Sequence, residues 1–226
     1  ATLSFYPAHH ITMGEGGVVF TNNDKLKVIA ESFRDWGRDC YCGPGEDNTC
    51  GKRYGQQLGT LPKGYDHKFT YGHLGFNLKI TDMQAAVGCA QLHRLEEFIA
   101  KRKENYAYLH SRLSGYTECF SVMEPTPNSE PSWFGFAITL NENGNFDRTA
   151  LLQHLDSAKI GTRLLFAGNL TCQPYMANVN YRISSDLKNT DNIMRNTFWV
   201  GVYPGLDTIH LDYIATTIEA FFGLDL

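Results

Sequence analysis

Ser4-Phe5-Tyr6-Pro7-Ala8-His9-His10-Ile11-Thr12-Met13-Gly14-Glu15-Gly16-Gly17 is the stretch whose reading decides the fold. It continues an extended opening run, Ala1 to Tyr6, and ends in Gly14-Glu15-Gly16-Gly17, after which Val18-Val19-Phe20-Thr21 resumes an extended course. The glycine cluster resembles neither a dinucleotide fingerprint nor a P-loop and reads as a hairpin turn. Between the extended runs stand His9 and His10. A neutral imidazole, with an ordinary pKa near ~6.5, can take and return a proton at physiological pH. A histidine beside a strand is more often structural, so spacing alone leaves the pair as candidates.

Working outward, Asn22 to Phe33 reads as a helix with Leu26, Ile29, Ala30 and Phe33 on one face. From Gly37 to about Thr70 periodicity disappears into a Gly- and Pro-rich loop, and loops this long inside a compact domain usually carry function or are disordered. It holds Cys40, Cys42 and Cys50, three of the six cysteines. In extended chain, residues i and i+2 point to one side, so Cys40 and Cys42 can present two thiolates together. Gly43-Pro44-Gly45 lets the chain fold back towards Cys50. Thiolates suit zinc and iron–sulfur centres, which take four ligands. The fourth is either His67, giving a Cys₃His zinc site, or a residue outside this chain; three unrelated thiols remain the simpler alternative. Cys89 lies on a packed helix face and is set aside.

Thr81 and Gln84 form a capping-box pattern opening a long helix that Gly115 ends. Beyond it the pattern predicts a strand over 133–140, a helix over 147–158, a strand over 162–166, and helices over 191–199 and 208–222. Strands mixed with helices indicate an α/β or α+β module. The 226 residues are 42% apolar and 19% charged with net charge −4, an ordinary globular balance without a basic surface for nucleic acid. No apolar run approaches the ~18 residues of a membrane span, no signal-peptide layout is present, and the uneven cysteines do not suit a secreted scaffold. A cytoplasmic location is expected.

The opening stretch resembles the pattern Ser-Phe-x-x-x-Lys-x-x-x-x-Gly-Glu-Gly-Gly of the DegT/DnrJ/EryC1/StrS sugar aminotransferases, with His9 at the lysine position. Gly75-Phe76-Asn77-Leu78-Lys79-Ile80-Thr81-Asp82-Met83-Gln84-Ala85-Ala86 resembles that family's interface segment, and the likeness continues through Arg163 to Asn169 and the C-terminus. Histidine for lysine, together with Cys40, Cys42 and Cys50, is similar to the iron–sulfur CDP-4-keto-6-deoxyglucose 3-dehydrase branch of dideoxysugar and O-antigen synthesis.

The resemblance implies an α/β fold of the PLP-dependent transferase type I, aspartate aminotransferase-like class, present in part. Residues 1–80 would end the large domain and include the cysteine loop 38–70. Residues 81–115 would form one linking helix, and 116–226 the small C-terminal α+β domain. It also implies pyridoxamine phosphate held without a covalent link, His9 as catalytic base, Ser4 on the cofactor phosphate, and Asn77 on the phosphate of a neighbouring subunit. Tyr6 would border the sugar and Arg163 would meet substrate anions. Cys40, Cys42 and Cys50 would hold a 2Fe–2S cluster whose fourth cysteine lies upstream. The expected partners are a nucleotide-sugar substrate, a flavin iron–sulfur reductase and a second copy in a homodimer. Because family members carry about as much chain again before this motif, the chain reads as a C-terminal half, incomplete for catalysis alone. A cluster-free relative and a non-catalytic metal-binding or interaction module are the competing readings.

Overall fold

Thr2–Ser4 (β1) pairs antiparallel with Gly17–Val19 (β2), Thr2 opposite Val19 and Ser4 opposite Gly17. The computed structural model describes residues 1–43, 45–142 and 144–224, and the chain divides into Ala1–His93 and Arg94–Leu226. Among the described residues no helix is long and apolar enough to cross a membrane.

In the first unit, residues 5–16 connect the two strands, so Gly14-Glu15-Gly16-Gly17 closes a long loop instead of making the expected tight hairpin. Helix α1 (Asp24–Arg34) begins at Asn23, whose side chain accepts from Lys25 and Leu26 N–H at 3.0 and 3.2 Å. Asp24 in its first turn and Arg34 in its last complement the helix dipole. Leu26, Ile29 and Phe33 stay exposed, so the caps, more than packing within this unit, account for the helix. Asp82–Leu92 (α2) opens with the expected capping box, Gln84 N–H on Thr81 Oγ1 at 3.3 Å and Thr81 N–H on Gln84 Oε1 at 2.8 Å. Thr81→Ala removes one half of it and should cost about 1 kcal/mol. A denaturant midpoint that falls for Thr81→Ala and holds for Thr81→Ser checks this.

The expected single helix over 81–115 is interrupted. Arg94 sits at φ −104° and ψ 2°, outside the helical region, and Leu95–Leu113 (α3) starts after it in the second unit. The break falls on His93-Arg94, with no Gly or Pro to announce it. Arg94 instead pairs with Glu97 at 3.2 Å and lies over the Phe98 ring at 4.8 Å.

The second unit is an antiparallel sheet against helices. Phe120–Val122 (β3), Gly135–Leu140 (β4), Thr162–Leu164 (β5) and Thr197–Gly201 (β6) run in the order β3-β4-β6-β5. Strict alternation on β4 buries Phe136, Ile138 and Leu140, with Phe136 opposite Val200 and Ile138 opposite Phe198 on β6. These meet Leu109 and Leu113 of α3, Leu151 and Leu155 of Arg148–Ser157 (α4), and Ile214 and Ile218 of Thr208–Phe222 (α6). Each such side chain contributes about 1.5–3 kcal/mol on burial. The predicted helix over 191–199 is corrected: Lys188–Asn196 (α5) ends there, and Thr197-Phe198-Trp199-Val200 forms β6. β-branched and aromatic side chains favour the sheet, where Phe198 and Val200 reach the core.

Candidate functional site

The 5–16 loop is tied to one anchor, Phe5. Its N–H donates to Gly16 O at 2.9 Å, and its carbonyl accepts Met13 N–H at 3.0 Å and the Thr12 hydroxyl at 3.2 Å. Ile11 and Met13 are buried beneath. Within the loop, Tyr6-Pro7-Ala8-His9 is a turn closed by His9 N–H on Tyr6 O at 3.0 Å, with Pro7 fixing its first corner. The turn brings the half-buried His9 ring back so that Nδ1 lies 3.3 Å from Ser4 O. A carbonyl can only accept, which assigns the proton to Nδ1 and leaves Nε2 as the basic atom of the neutral ring. Tyr6 sets its ring edge against His9, with centroids 5.9 Å apart. Ser4 Oγ accepts Tyr6 N–H at 3.3 Å, so its hydroxyl hydrogen can serve an anion. Ser4, Tyr6 and His9 are thus brought together, and this donor set fits the phosphate and the proton chemistry of pyridoxamine phosphate. His10, next in sequence, is half-buried and carries contacts of its own.

The cysteine loop is closed at its base by residues 33–39 running against 70–78. Trp36 N–H donates to Phe76 O at 2.8 Å, Asp39 N–H to Thr70 O at 3.0 Å, and Gly72 N–H to Gly37 O at 2.9 Å. The crossing is so close that a Cβ on Gly37, where φ is +81°, would meet His73 O at 1.9 Å. One on Gly75 would meet Gly37 N at 2.2 Å.

Within the loop the three expected cysteines are all half-buried free thiols. Cys40 and Cys42 lie near enough for each to influence the other's ionisation. Burial pushes Cys40 up, whereas the Thr49 hydroxyl bonded to Cys42 is the main cause bringing that thiol down to about 7. Cys50 Sγ lies 3.3 Å from His67 Nε2.

Among the described residues, however, no three His, Cys, Asp or Glu side chains converge to hold one ion. The expected alternative of a single Cys₃His zinc ion is therefore not built by these side chains as they stand. A two-iron cluster asks for only two protein ligands at each iron. The thiol chemistry of this set fits such a cluster in kind, and Pro44 in its middle lies outside the described residues.

A cleft of ≈ 970 Å³ borders this loop within the first unit, lined in part by Cys40, Cys42, Trp36 and Lys79. The Lys79 ammonium bonds Asp35 at 3.0 Å and Asn77 Oδ1 at 2.8 Å, and lies 3.5 Å from the Trp36 ring centroid. Sequence reading missed this group, because 44 residues separate Lys79 from Asp35 and no local motif joins them. With its oxygen so occupied, exposed Asn77 has its amide N–H groups left to donate. Arg163 lies in the second unit on β5, paired in register with Trp199, exposed and bonded to its neighbour's carbonyl, Thr162 O, at 2.7 Å.

Residues 1–219 match the DegT/DnrJ/EryC1/StrS aminotransferase family. The chain is 66% identical over 224 residues to lipopolysaccharide biosynthesis protein RfbH of Salmonella typhimurium, covering 99% of this chain and 51% of that protein. It is 52% identical over 220 residues to dTDP-4-dehydro-2,6-dideoxy-D-glucose 3-dehydratase of Saccharopolyspora spinosa, covering 97% and 47%. Its fold is similar to that of an E. coli GDP-4-keto-6-deoxy-D-mannose-3-dehydratase with bound hydrated PLP, at TM-score 0.77, 23% identity and coverage of 96% and 53%. At that identity the likeness speaks for the fold. The chain spans about half the length of the curated relatives it matches.

Proposed function

Since the chain belongs to the DegT/DnrJ/EryC1/StrS aminotransferase family, we propose that the longer polypeptide is a nucleotide-sugar 3-dehydrase of dideoxysugar and lipopolysaccharide synthesis, acting on CDP-4-keto-6-deoxyglucose. The observation that carries this reading is His9, an amine-free base at the position where the resemblance places lysine, with Nδ1–H on Ser4 O and a basic Nε2. The names of the 66% and 52% identical relatives, one of lipopolysaccharide synthesis and one a sugar 3-dehydratase, support it.

Pyridoxamine phosphate, when bound, would supply the amine that condenses with the 4-keto group and a ring able to take up electrons. This chain's residues bind and move protons. Ser4 donates its hydroxyl to the phosphate, and Asn77 donates its amide to the phosphate in the neighbouring subunit of a homodimer. His9 takes a proton at Nε2, and Tyr6 shields the His9 ring from water and borders the sugar. Arg163 meets substrate anions.

Replacing C–OH by C–H with loss of water is a two-electron reduction, so an electron donor is required. Cys40, Cys42 and Cys50, with a ligand from outside this chain, would hold a 2Fe–2S cluster that delivers electrons singly from a flavin iron–sulfur reductase. A cluster-free 3-dehydrase is the second reading, favoured by the lack of three converging donors among the described residues.

Full-length protein supplied with substrate, pyridoxamine phosphate and reductase is expected to lose the 3-hydroxyl and to contain iron and acid-labile sulfide. Glutamate-driven amino transfer with every hydroxyl retained would sink the dehydrase reading. Hydroxyl loss by a protein without iron or sulfide would select the cluster-free one.

A further inference from the structure

His67 opens the short 3₁₀ turn His67–Phe69 and is 1% exposed. Its placement is fixed from several sides. Its N–H donates to Arg53 O at 3.2 Å, and its carbonyl accepts Thr70 N–H at 3.1 Å. Asp66 caps the turn while its carboxylate takes Arg53 at 2.9 and 2.8 Å. So held, the ring sets Nε2 3.3 Å from Cys50 Sγ, which also receives Lys52 N–H at 3.4 Å. Nδ1 is buried with no hydrogen-bond partner among the described residues.

An iron-bound thiolate has no proton to give, so across this contact only Nε2–H can donate.

We infer that His67 is a positioning residue that donates Nε2–H to the Cys50 thiolate and so sets the reduction potential of the centre in this loop. The inference rests on the cluster reading above. An N–H on a ligating sulfur draws off electron density and stabilises the more negative, reduced centre, which raises its potential. His67 then acts through Cys50 and is not itself the fourth ligand.

The test uses full-length protein, its His67→Leu and His67→Gln variants, and redox titration followed by visible absorption. His67→Leu should keep its iron and show a lower midpoint. His67→Gln, whose amide N–H can still donate, should stay at or near the parent value. Iron lost from His67→Leu but retained in His67→Gln at the parent midpoint also supports the donor role. An unchanged midpoint in His67→Leu, or iron lost from both variants, overturns it. A parent protein without iron and sulfide removes the cluster reading and this inference with it, a result distinguishable because it appears before any substitution.

Discussion

On the 3-dehydrase reading proposed above, His9→Asn in the full-length protein should lower kcat for loss of the 3-hydroxyl by ~10²–10⁴-fold, the range a positioned general base supplies, or about 3–5 kcal/mol of barrier. Asparagine is the informative replacement because its amide N–H can still reach Ser4 O, the carbonyl that holds Nδ1 at 3.3 Å. The turn and the Ser4 hydroxyl should survive, so KM should move far less than kcat. A merely structural His9 would give the opposite pattern, a stability loss with turnover within tenfold of the parent. His9→Lys offers an amine in place of imidazole and should likewise fail to eliminate the hydroxyl. Steady-state rates with product identification decide, and substantial dehydration by either variant removes His9 from the chemistry.

How much of this was legible in the sequence depends on how local each feature is. Helices α1 and α4, the Thr81–Gln84 cap, and the α6 span 208–222 follow from short-range periodicity and capping, and each stands where the residues placed it. β3 went unread because Phe120-Ser121-Val122 is too short to declare itself before β4 pairs with it. The α5–β6 junction was misplaced because Asp191 to Trp199 is a continuous stretch until Thr197 pairs with Thr139. At the candidate site, the residue types were visible: a histidine in the opening motif and cysteines at C-x-C-x₇-C. Geometry was not. The Nδ1 contact needs the Tyr6–His9 turn, the Cys50–His67 contact spans 17 residues, and the Lys79–Asp35–Trp36 group spans 44. Such long-range pairings carry no periodic signal.

The crossing beneath the cysteine loop gives the second large effect. Gly37→Ala should open the loop base, because two costs coincide there. A non-glycine residue at φ +81° costs roughly 1–2 kcal/mol. The added Cβ would also stand 1.9 Å from the His73 carbonyl oxygen, and backbone at that separation cannot yield as a flexible side chain can. Relief requires parting residues 33–39 from 70–78 and losing the Trp36–Phe76, Asp39–Thr70 and Gly72–Gly37 hydrogen bonds. The total should reach at least about 4 kcal/mol, in the range of the most damaging point substitutions.

Gly59→Ala separates the two costs, for Gly59 also has a positive φ, +55°, but open space around its Cβ, so strain alone applies. Gly75→Ala isolates the steric part, with its Cβ 2.2 Å from Gly37 N. Limited proteolysis and thiol labelling should find the segment from Cys40 to Cys50 opened in Gly37→Ala and Gly75→Ala but near normal in Gly59→Ala. Equal protection in all three would mean that the loop is not closed by this crossing. If opening also empties the full-length protein of iron while His9 keeps its Ser4 contact, the loop base would support the proposed cysteine centre independently of the histidine proposed to move the proton.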